Sequence, residues 1–320
     1  MNKFKDQKIT AKGETRAWVS LTELKTLWFN TGTRCNLTCK NCYIESSPKN
    51  DRLSYLSVED IAFYLNEIKE DKHPVELIGL TGGEPFLNPE IITILDRILN
   101  DGHEVLVLTN AYRVLDRHIE KLLSLKENYG DKLHLRVSLD HYTKEVHEAE
   151  RGEKTFDRTI SQVRALVDQG FNVSLAGRSL IGEDDEQAIN GYQVLMEKFE
   201  INLKLSLGDN IVIFPEMMID ENVPEITTSC WDILSVSPDS QMCATERMIV
   251  KRKEQEKAVV LPCTLLAYDE QFELGNSLKE SETDVYLNHV YCSKFCALLQ
   301  FRCQLLAIPY CHGKGCRGSC

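Results

Sequence analysis

The feature that most constrains the fold is an alternation of short apolar runs with longer amphipathic segments. Six runs predict β-strands at 27–31, 75–81, 104–109, 134–140, 172–177 and 203–207. Five segments with three- and four-residue apolar spacing predict helices at 58–70, 90–101, 114–127, 156–170 and 186–200. Because helical crossovers join parallel strands, this order predicts an α/β fold, a partial (β/α)6 TIM-like barrel whose site lies at the strand carboxyl ends.

The distribution of cysteines divides the chain. Three of the 12 cysteines fall between 35 and 42, and nine fall between 230 and 320. The sequence shows no secretory pattern and no membrane-length apolar run, so we expect a cytoplasmic protein with metal or redox chemistry. The predicted parts are an N-terminal extension (1–24), a core (25–210) and a small cysteine-rich domain with a β-hairpin (211–320).

The charge of the chain limits its partners. The formal net charge is −12, and the acidic residues are spread along the sequence. Such a surface repels phosphate backbones, so we expect no nucleic-acid partner. We expect no membrane partner either, because no apolar run is long enough to span a membrane.

A cysteine loop follows the first predicted strand, with Cys35, Cys39 and Cys42 in the spacing CxxxCxxC. Three thiolates in so short a loop can bind three irons of a [4Fe–4S] cluster and leave the fourth iron open. The alternatives are buried thiols and structural zinc, although zinc more often takes CxxC pairs from two separate segments. The spacing favours an iron–sulfur cluster with one open position.

A second motif, Gly82–Pro85 with the sequence GGEP, follows the second predicted strand. Paired glycines let the backbone approach a ligand closely, and strand-end amides and carbonyls can bind a small zwitterion. Taken alone, the motif is equally consistent with a turn.

Together, the two motifs closely resemble the radical S-adenosylmethionine (SAM) superfamily over residues 25–210. The resemblance implies that SAM binds the open iron and is cleaved reductively, which gives a 5′-deoxyadenosyl radical that abstracts hydrogen from a peptide or small-molecule substrate. It also implies a reducing partner such as flavodoxin or ferredoxin. The cofactor-binding residues that it implies are Gly82, Gly83, Glu84, Pro85, Asn110, Ser138, Asp140 and Arg178.

Three positions bear on this resemblance less directly. Asn41 stands where many members carry an aromatic residue beside adenine, and stacking from that position is lost. His141 is an alternative acid or base at the barrel mouth, whereas His147 is predicted on a helix surface. The sequence assigns no catalytic residue beyond the cofactor ligands.

The later cysteines resemble the Twitch and SPASM extensions, which hold auxiliary [4Fe–4S] clusters. Cys243 and Cys263 bracket a predicted hairpin, and Cys292 and Cys296 follow about thirty residues later, so the resemblance implies four ligands of at least one auxiliary cluster. The chain has CxxxC where these extensions often have CxxC, and structural zinc remains an alternative. No role is assigned to Cys230, Cys303, Cys311, Cys316 and Cys320, for which a second auxiliary cluster and free thiols both stay open.

Two other function classes remain at this point. The chain could be an electron-transfer iron–sulfur protein that never cleaves SAM, or a zinc-stabilised binding module. The sequence does not select a substrate or reaction outcome. Residues 1–24 are too few for a peptide-recognition winged helix, which lowers the expectation of a leader-peptide substrate.

Overall fold

A computed structural model describes residues 2–179, 183–214 and 223–297. The described strands are β1 Trp18–Val19, β2 Thr26–Asn30, β3 Leu77–Thr81, β4 Glu104–Thr109, β5 Leu133–Ser138, β6 Asn172–Arg178, β7 Ile211–Phe214, β8 Glu246–Val250, β9 Val259–Leu261 and β10 Val285–Tyr286. They form one eight-stranded sheet, in the order β7-β6-β5-β4-β3-β2-β8-β9, and a β1–β10 pair. All neighbours from β7 to β8 are parallel, and β8 and β9 are antiparallel.

Helices connect the parallel strands, which confirms the predicted α/β class and partial barrel. The first helix begins at a capping box, in which Ser57 and Asp60 satisfy each other's backbone N–H groups. The helices are α1 Val58–Asp71, α2 Ile91–Asn100, α3 Ile119–Tyr129, α4 Lys144–Arg151, α5 Phe156–Asp168, α6 Asp185–Lys198 and α7 Cys230–Leu234.

The two faces of the sheet have different partners, because successive side chains of a strand point to opposite faces. Leu27 and Phe29 of β2 belong to the large core shared with the helices. Trp28, between them, belongs to a second core with Leu106 and Met248. The face that carries Trp28 is the inner face of the barrel.

The prediction of the sixth strand was wrong. The strand that pairs with β6 is Ile211–Phe214, not 203–207. Residues 206–210 instead form a turn, in which Asn210 accepts from the Ser206 N–H and donates to the Lys204 carbonyl. Gly208 lies in this turn with φ +86°, a conformation that glycine adopts without steric cost.

The predicted hairpin is present, as β8 and β9, but it also extends the barrel sheet. Strand β8 pairs in parallel with β2, with Thr26 opposite Glu246. The N-terminal residues join the same region, because β1 pairs with β10 and the buried Arg16 forms a 2.6 Å ion pair with Glu225. The division at 24 and 210 into separate parts remains a prediction.

Two local features differ from the sequence interpretation. Helix α4 was not predicted, because its sequence has few apolar residues. His147, predicted on a helix surface, is fully buried in α4 against Phe156. Among the described residues, no helix combines the length and apolar character needed to cross a membrane.

Candidate functional site

A cavity of about 210 Å³ lies at the carboxyl ends of the barrel strands. It brings together residues from the cysteine loop and from the ends of β3, β4, β5 and β6. The sequence-predicted residues that line it are Cys35, Cys39, Cys42, Gly82, Gly83, Asn110, Ser138, Asp140 and Arg178. The structure thus places nine predicted residues around one space, as expected for a barrel whose site lies at this end.

Backbone hydrogen bonds hold the cysteine loop over the cavity. The Cys35 N–H donates to the Ser47 carbonyl over 3.1 Å, and the Lys40 N–H donates to the Glu150 carbonyl over 2.8 Å. The second bond joins the loop to α4. Because the loop is held at Cys35 and at Lys40, its thiols are positioned by backbone hydrogen bonds as well as by side-chain packing.

Of the three loop cysteines, Cys35 is buried, and Cys39 and Cys42 are half-buried. Burial raises the pKa of the Cys35 thiol to about 12 and also raises the pKa of Cys39, which the Arg151 guanidinium partly opposes. Asn110 Nδ2 donates a hydrogen bond to Cys35 Sγ over 3.5 Å. Buried thiols of this kind are inert until a metal ion displaces the proton, and the donor set of three thiols fits an iron–sulfur cluster.

The two glycines of GGEP are explained by contact with the cysteine loop. A Cβ on Gly83 would lie 2.2 Å from the Arg34 carbonyl oxygen, and one on Gly82 would lie 2.5 Å from the Gly32 carbonyl oxygen. The Gly83 N–H donates to that Gly32 oxygen over 2.8 Å. Only glycine allows the end of β3 to pack directly on the loop that carries the thiols.

Glu84 and Pro85 do not line the cavity. The buried Glu84 carboxylate accepts from Thr109 Oγ1 at 2.9 Å and from the Asn110 N–H at 2.8 Å. Burial raises its pKa to about 7 despite these hydrogen bonds. Glu84 therefore joins the ends of β3 and β4 and holds Asn110 toward Cys35, while Pro85 begins a 3-10 turn, Pro85–Leu87.

Asp140 is the centre of a buried ionic group. Arg151 binds it through two 2.9 Å hydrogen bonds, and Arg178 Nε lies 3.5 Å from Asp140 Oδ1. Burial opposes ionisation of Asp140, but the two guanidinium groups hold its pKa below the ordinary value. These ion pairs fix the positions of the three charged side chains next to Cys39.

Asn41 takes part in the same network. Its Nδ2 lies 2.9 Å from Glu150 Oε2, and its carbonyl accepts from Arg178 Nη2 over 3.2 Å. Arg178 Nη1 lies 3.5 Å from Glu150 as well. The asparagine, which departs from the common family pattern, therefore secures the cysteine loop to α4 and β6.

A second group of thiols lies in the C-terminal part. Cys243, Cys263 and Cys292 are buried. Burial and, next in size, the neighbouring Cys296 raise the pKa of Cys243 to about 12. Burial and the other thiols shift the pKa values of Cys263 and Cys292 upward in the same way. The four predicted auxiliary ligands are thus close enough to interact electrostatically. Cys303, Cys311, Cys316 and Cys320 lie outside the described residues.

The two thiol groups are adjacent to one cavity. Thr264 and Leu265, directly after Cys263, and Phe295, directly before Cys296, line the cavity that contains Cys35. In the described ranges, no three histidine, cysteine, aspartate or glutamate side chains form a group that could bind a single metal ion. In a cubane, each cysteine binds a different iron, so the ligands need not converge on one point.

Sequence reasoning missed several cavity residues. Trp28, Arg136 and Arg151 all line the cavity. The alternation of side chains along a strand could have identified Arg136, because Arg136 lies two residues before Ser138 and therefore on the same face of β5. Arg151 had no such signal, because it ends the helix that was not predicted. His141 is buried and lies 3.6 Å from Glu183, outside the cavity lining.

The sequence matches a known family profile. Residues 29–191 match the family described as the Radical SAM superfamily. The antilisterial bacteriocin subtilosin biosynthesis protein AlbA of Bacillus subtilis is 34% identical over 144 residues, 45% of this chain and 30% of that protein. Mycofactocin maturase MftC of Mycobacterium tuberculosis is 30% identical over 139 residues, 43% of this chain and 33% of that protein. The match spans about a third of the length of these curated relatives.

The fold resembles a solved structure. Streptococcus suis SuiB bound to its precursor peptide SuiA superposes with a TM-score of 0.57 at 15% identity, covering 90% of this chain and 71% of that one. At this identity, the likeness concerns the fold.

Proposed function

This chain belongs to the radical SAM superfamily, and from that premise we propose that it modifies a peptide or a small molecule by radical chemistry. When bound, a [4Fe–4S] cluster and S-adenosylmethionine would supply reductive cleavage of the sulfonium and a radical able to abstract hydrogen. The observation that carries the proposal is the shared cavity, which joins three thiols to Gly82, Gly83, Asp140 and Arg178.

The residues that would hold the cluster are Cys35, Cys39 and Cys42. Three thiols leave one iron without a protein ligand, which is the arrangement that a chelating cofactor requires. The backbone N–H of Asn110 donates to the Glu84 carboxylate, which fixes the position of the residue. The side-chain amide of Asn110 donates a hydrogen bond to Cys35 Sγ. Such a donor lowers the electron density on a ligating sulfur and thereby tunes the reduction potential of a cluster.

The residues that would hold the cofactor provide complementary charge. The Asp140 carboxylate and the backbone at Gly82 and Gly83 suit an ammonium group, and the Arg178 guanidinium suits a carboxylate. Arg178 is already paired with Asp140 and Glu150. Binding of a carboxylate would therefore add to an existing network and would not have to order a free side chain.

We extend the proposal to an auxiliary cluster at Cys243, Cys263, Cys292 and Cys296. Two observations support this auxiliary cluster. The thiols interact electrostatically with one another, and Leu265 and Phe295, which are close to them in sequence, line the cavity. Four cysteines would coordinate a cluster there fully, which would supply an electron acceptor for the substrate and would stabilise the local fold through metal-binding energy. We also propose a cytoplasmic location and a flavodoxin or ferredoxin as the reducing partner.

A peptide substrate is favoured by the relatives. SuiB is bound to a precursor peptide, and AlbA is a bacteriocin biosynthesis protein. Because the chain matches only part of AlbA and MftC, this substrate class is part of the proposal.

The proposal is tested by anaerobic reconstitution followed by iron, sulfide and zinc analysis and a dithionite-dependent assay for 5′-deoxyadenosine. We expect iron and sulfide, and 5′-deoxyadenosine from the wild type only when SAM is present. Replacing Cys35, Cys39 and Cys42 together with alanine should lower the iron content and abolish 5′-deoxyadenosine. Cys230→Ala is the matched cysteine control and should retain both.

Three results would contradict the proposal. Zinc without sulfide would indicate a binding module. Iron and sulfide with no cleavage of SAM would indicate an electron-transfer protein. Full cleavage by the triple alanine variant would exclude the cysteine loop as the cluster site.

A further inference from the structure

A fully buried guanidinium lies beside the C-terminal thiols. Arg247 belongs to β8 and is 0% exposed. Its Nη1 donates to the Cys243 carbonyl over 2.6 Å and to the Glu246 carbonyl over 2.8 Å. Its Nε and Nη2 both donate to the Ser281 carbonyl, over 3.2 Å and 2.9 Å. The side chain of Arg247 is therefore fixed by backbone oxygens, one of which belongs to a proposed cluster ligand.

The charge of Arg247 is not balanced as that of the buried Arg16 is. Arg16 is also 0% exposed, and it forms a 2.6 Å ion pair with Glu225. Among the residues that the structure describes, no carboxylate forms an ion pair with Arg247. The adjacent Glu246 lies on the opposite face of β8, where it accepts from Trp28. A buried charge without a partner is costly, because water neither solvates nor screens it.

Cysteines provide the charges that act most strongly on this guanidinium. Burial lowers the pKa of Arg247 to about 10, and ionised Cys243 and Cys263 oppose this shift, ahead of the exposed Glu282. Arg247 is thus charged at neutral pH. Cysteines bind metal as thiolates, and a [4Fe–4S] cluster with four thiolate ligands carries a net negative charge. A bound cluster would supply the negative charge that the described carboxylates do not place beside Arg247.

We propose that Arg247 is the counter-ion of the auxiliary cluster and that its charge raises the reduction potential of that cluster. This inference rests on the proposed function, because it requires a cluster at the C-terminal thiols. Reduction adds one electron to a group that is already negative. A buried cation in weakly screened surroundings therefore stabilises the reduced form more than the oxidised form. The higher potential favours a role of the cluster as an electron acceptor.

The test is a redox titration of the full-length protein in which Cys35, Cys39 and Cys42 are replaced with alanine. After anaerobic reconstitution, this parent protein holds the auxiliary cluster alone. Electron paramagnetic resonance follows the reduced cluster at potentials set with dithionite and mediators. In Arg247→Gln, we expect the ratio of reduced to oxidised cluster at a fixed potential to fall about tenfold or more. For a one-electron couple, a tenfold change is about 59 mV.

Arg247→Lys distinguishes charge from structural support. Lysine keeps the positive charge, but lysine and glutamine both lose the planar fork that binds the backbone carbonyls. We therefore expect Arg247→Lys to have a potential close to that of the parent, whereas a purely structural role would change both variants alike. Arg164→Gln is the matched control and should leave the potential unchanged, because Arg164 is exposed on α5 and pairs with Asp168 and Glu200.

The iron and sulfide contents keep the test decisive if a variant assembles poorly. Loss of the cluster from Arg247→Gln, with parent iron and sulfide in Arg247→Lys, would support the counter-ion, because the charge would then be needed for assembly. An unchanged or higher potential in Arg247→Gln would overturn the inference. Equal shifts in the two variants, or equal loss of iron from both, would overturn it as well.

The outcomes separate this inference from the proposed function. A parent protein without iron and sulfide would overturn both the counter-ion and the auxiliary cluster. Formation of 5′-deoxyadenosine by the wild type would still support the radical chemistry in that case. If the potential depends on the charge at Arg247 but the wild type makes no 5′-deoxyadenosine with dithionite, the counter-ion stands and the radical function fails.

Discussion

Trp28 and Glu246 are joined across the parallel strands β2 and β8 by a hydrogen bond of 2.6 Å, from indole Nε1 to carboxylate Oε2. Burial raises the pKa of Glu246 to about 8, and the hydrogen bond from Trp28 only partly opposes this shift. The contact couples the first strand of the barrel to the strand that begins the C-terminal hairpin. It also makes the stability of that junction depend on pH.

The first prediction concerns this pH dependence. Unfolded Glu246 ionises near 4.5, whereas the folded carboxyl stays protonated up to about 8. Its contribution to stability is therefore complete below pH 4.5 and is lost as the pH rises toward 8, by about 2–4 kcal/mol. Glu246→Gln keeps an acceptor for Trp28 and removes the titration.

Urea unfolding between pH 5 and pH 8 measures this effect. The free energy of unfolding of Glu246→Gln should rise relative to the wild type as the pH increases. Glu127→Gln, at an exposed position of α3, is the control and should show a constant difference. A constant difference for Glu246→Gln as well would mean that Glu246 does not titrate in this range.

The second prediction concerns the contact between Gly83 and the cysteine loop. In Gly83→Ala, the Cβ would lie 2.2 Å from the Arg34 carbonyl oxygen, so the loop must move. We expect a loss of about 1–3 kcal/mol in the free energy of unfolding, together with less iron bound after reconstitution.

Gly102→Ala is the control for this variant, because a Cβ at Gly102 meets no atom within 4 Å and adds only the strain of φ +97°. It should bind iron as the wild type does. Wild-type iron content in Gly83→Ala would show that the loop tolerates the displacement.

The third prediction compares a buried ion pair with an exposed one. Asp140→Asn leaves Arg151 buried beside a neutral amide, and we expect a loss of about 2–4 kcal/mol in the free energy of unfolding. Asp168→Asn removes the exposed i,i+4 partner of Arg164, and it should change the free energy of unfolding by about 0.5 kcal/mol or less. Urea unfolding of both variants at pH 7 measures the difference, and equal small effects would show that the Asp140 network adds little stability.

The fourth prediction concerns the C-terminal thiols. Cys292→Ala combined with Cys296→Ala should lower the bound iron and abolish product formation, while some unproductive cleavage of SAM continues at the cysteine loop. Cys230→Ala should keep the iron, because Cys230 Sγ instead accepts a hydrogen bond from the Thr227 N–H over 3.3 Å at the start of α7. Wild-type iron in the double variant would exclude Cys292 and Cys296 as ligands.

The sequence predicted the barrel well because each β/α unit has its own local signal. It failed at the sixth strand because two apolar runs, at 203–207 and 211–214, follow each other closely. The periodicity of apolar residues cannot decide which of two such runs forms the strand. The turn from Ser206 to Asn210 decides the register through side-chain hydrogen bonds, and it places Ile211 beside Leu175.

Strong local motifs predicted Cys35, Cys39 and Cys42 with the two glycines, whereas the family resemblance supplied Asn110, Ser138, Asp140 and Arg178. The residues that were missed act through contacts distant in sequence. Arg151 reaches Asp140 only because α4 packs under the cysteine loop, and α4 has a polar sequence whose buried residue is His147. Periodicity of apolar residues does not detect a helix of that kind.

The parallel pairing of β8 with β2 has a consequence for protein engineering. Extensions of this type are attractive parts to exchange between enzymes, yet here a cut before Glu246 would leave the edge of β2 without its hydrogen-bonding partner along Thr26–Phe29. It would also remove the acceptor of Trp28 and the partner of β1. A working chimera would have to transfer the N-terminal residues, β2 and the C-terminal segment together, as one unit assembled from both ends of the chain.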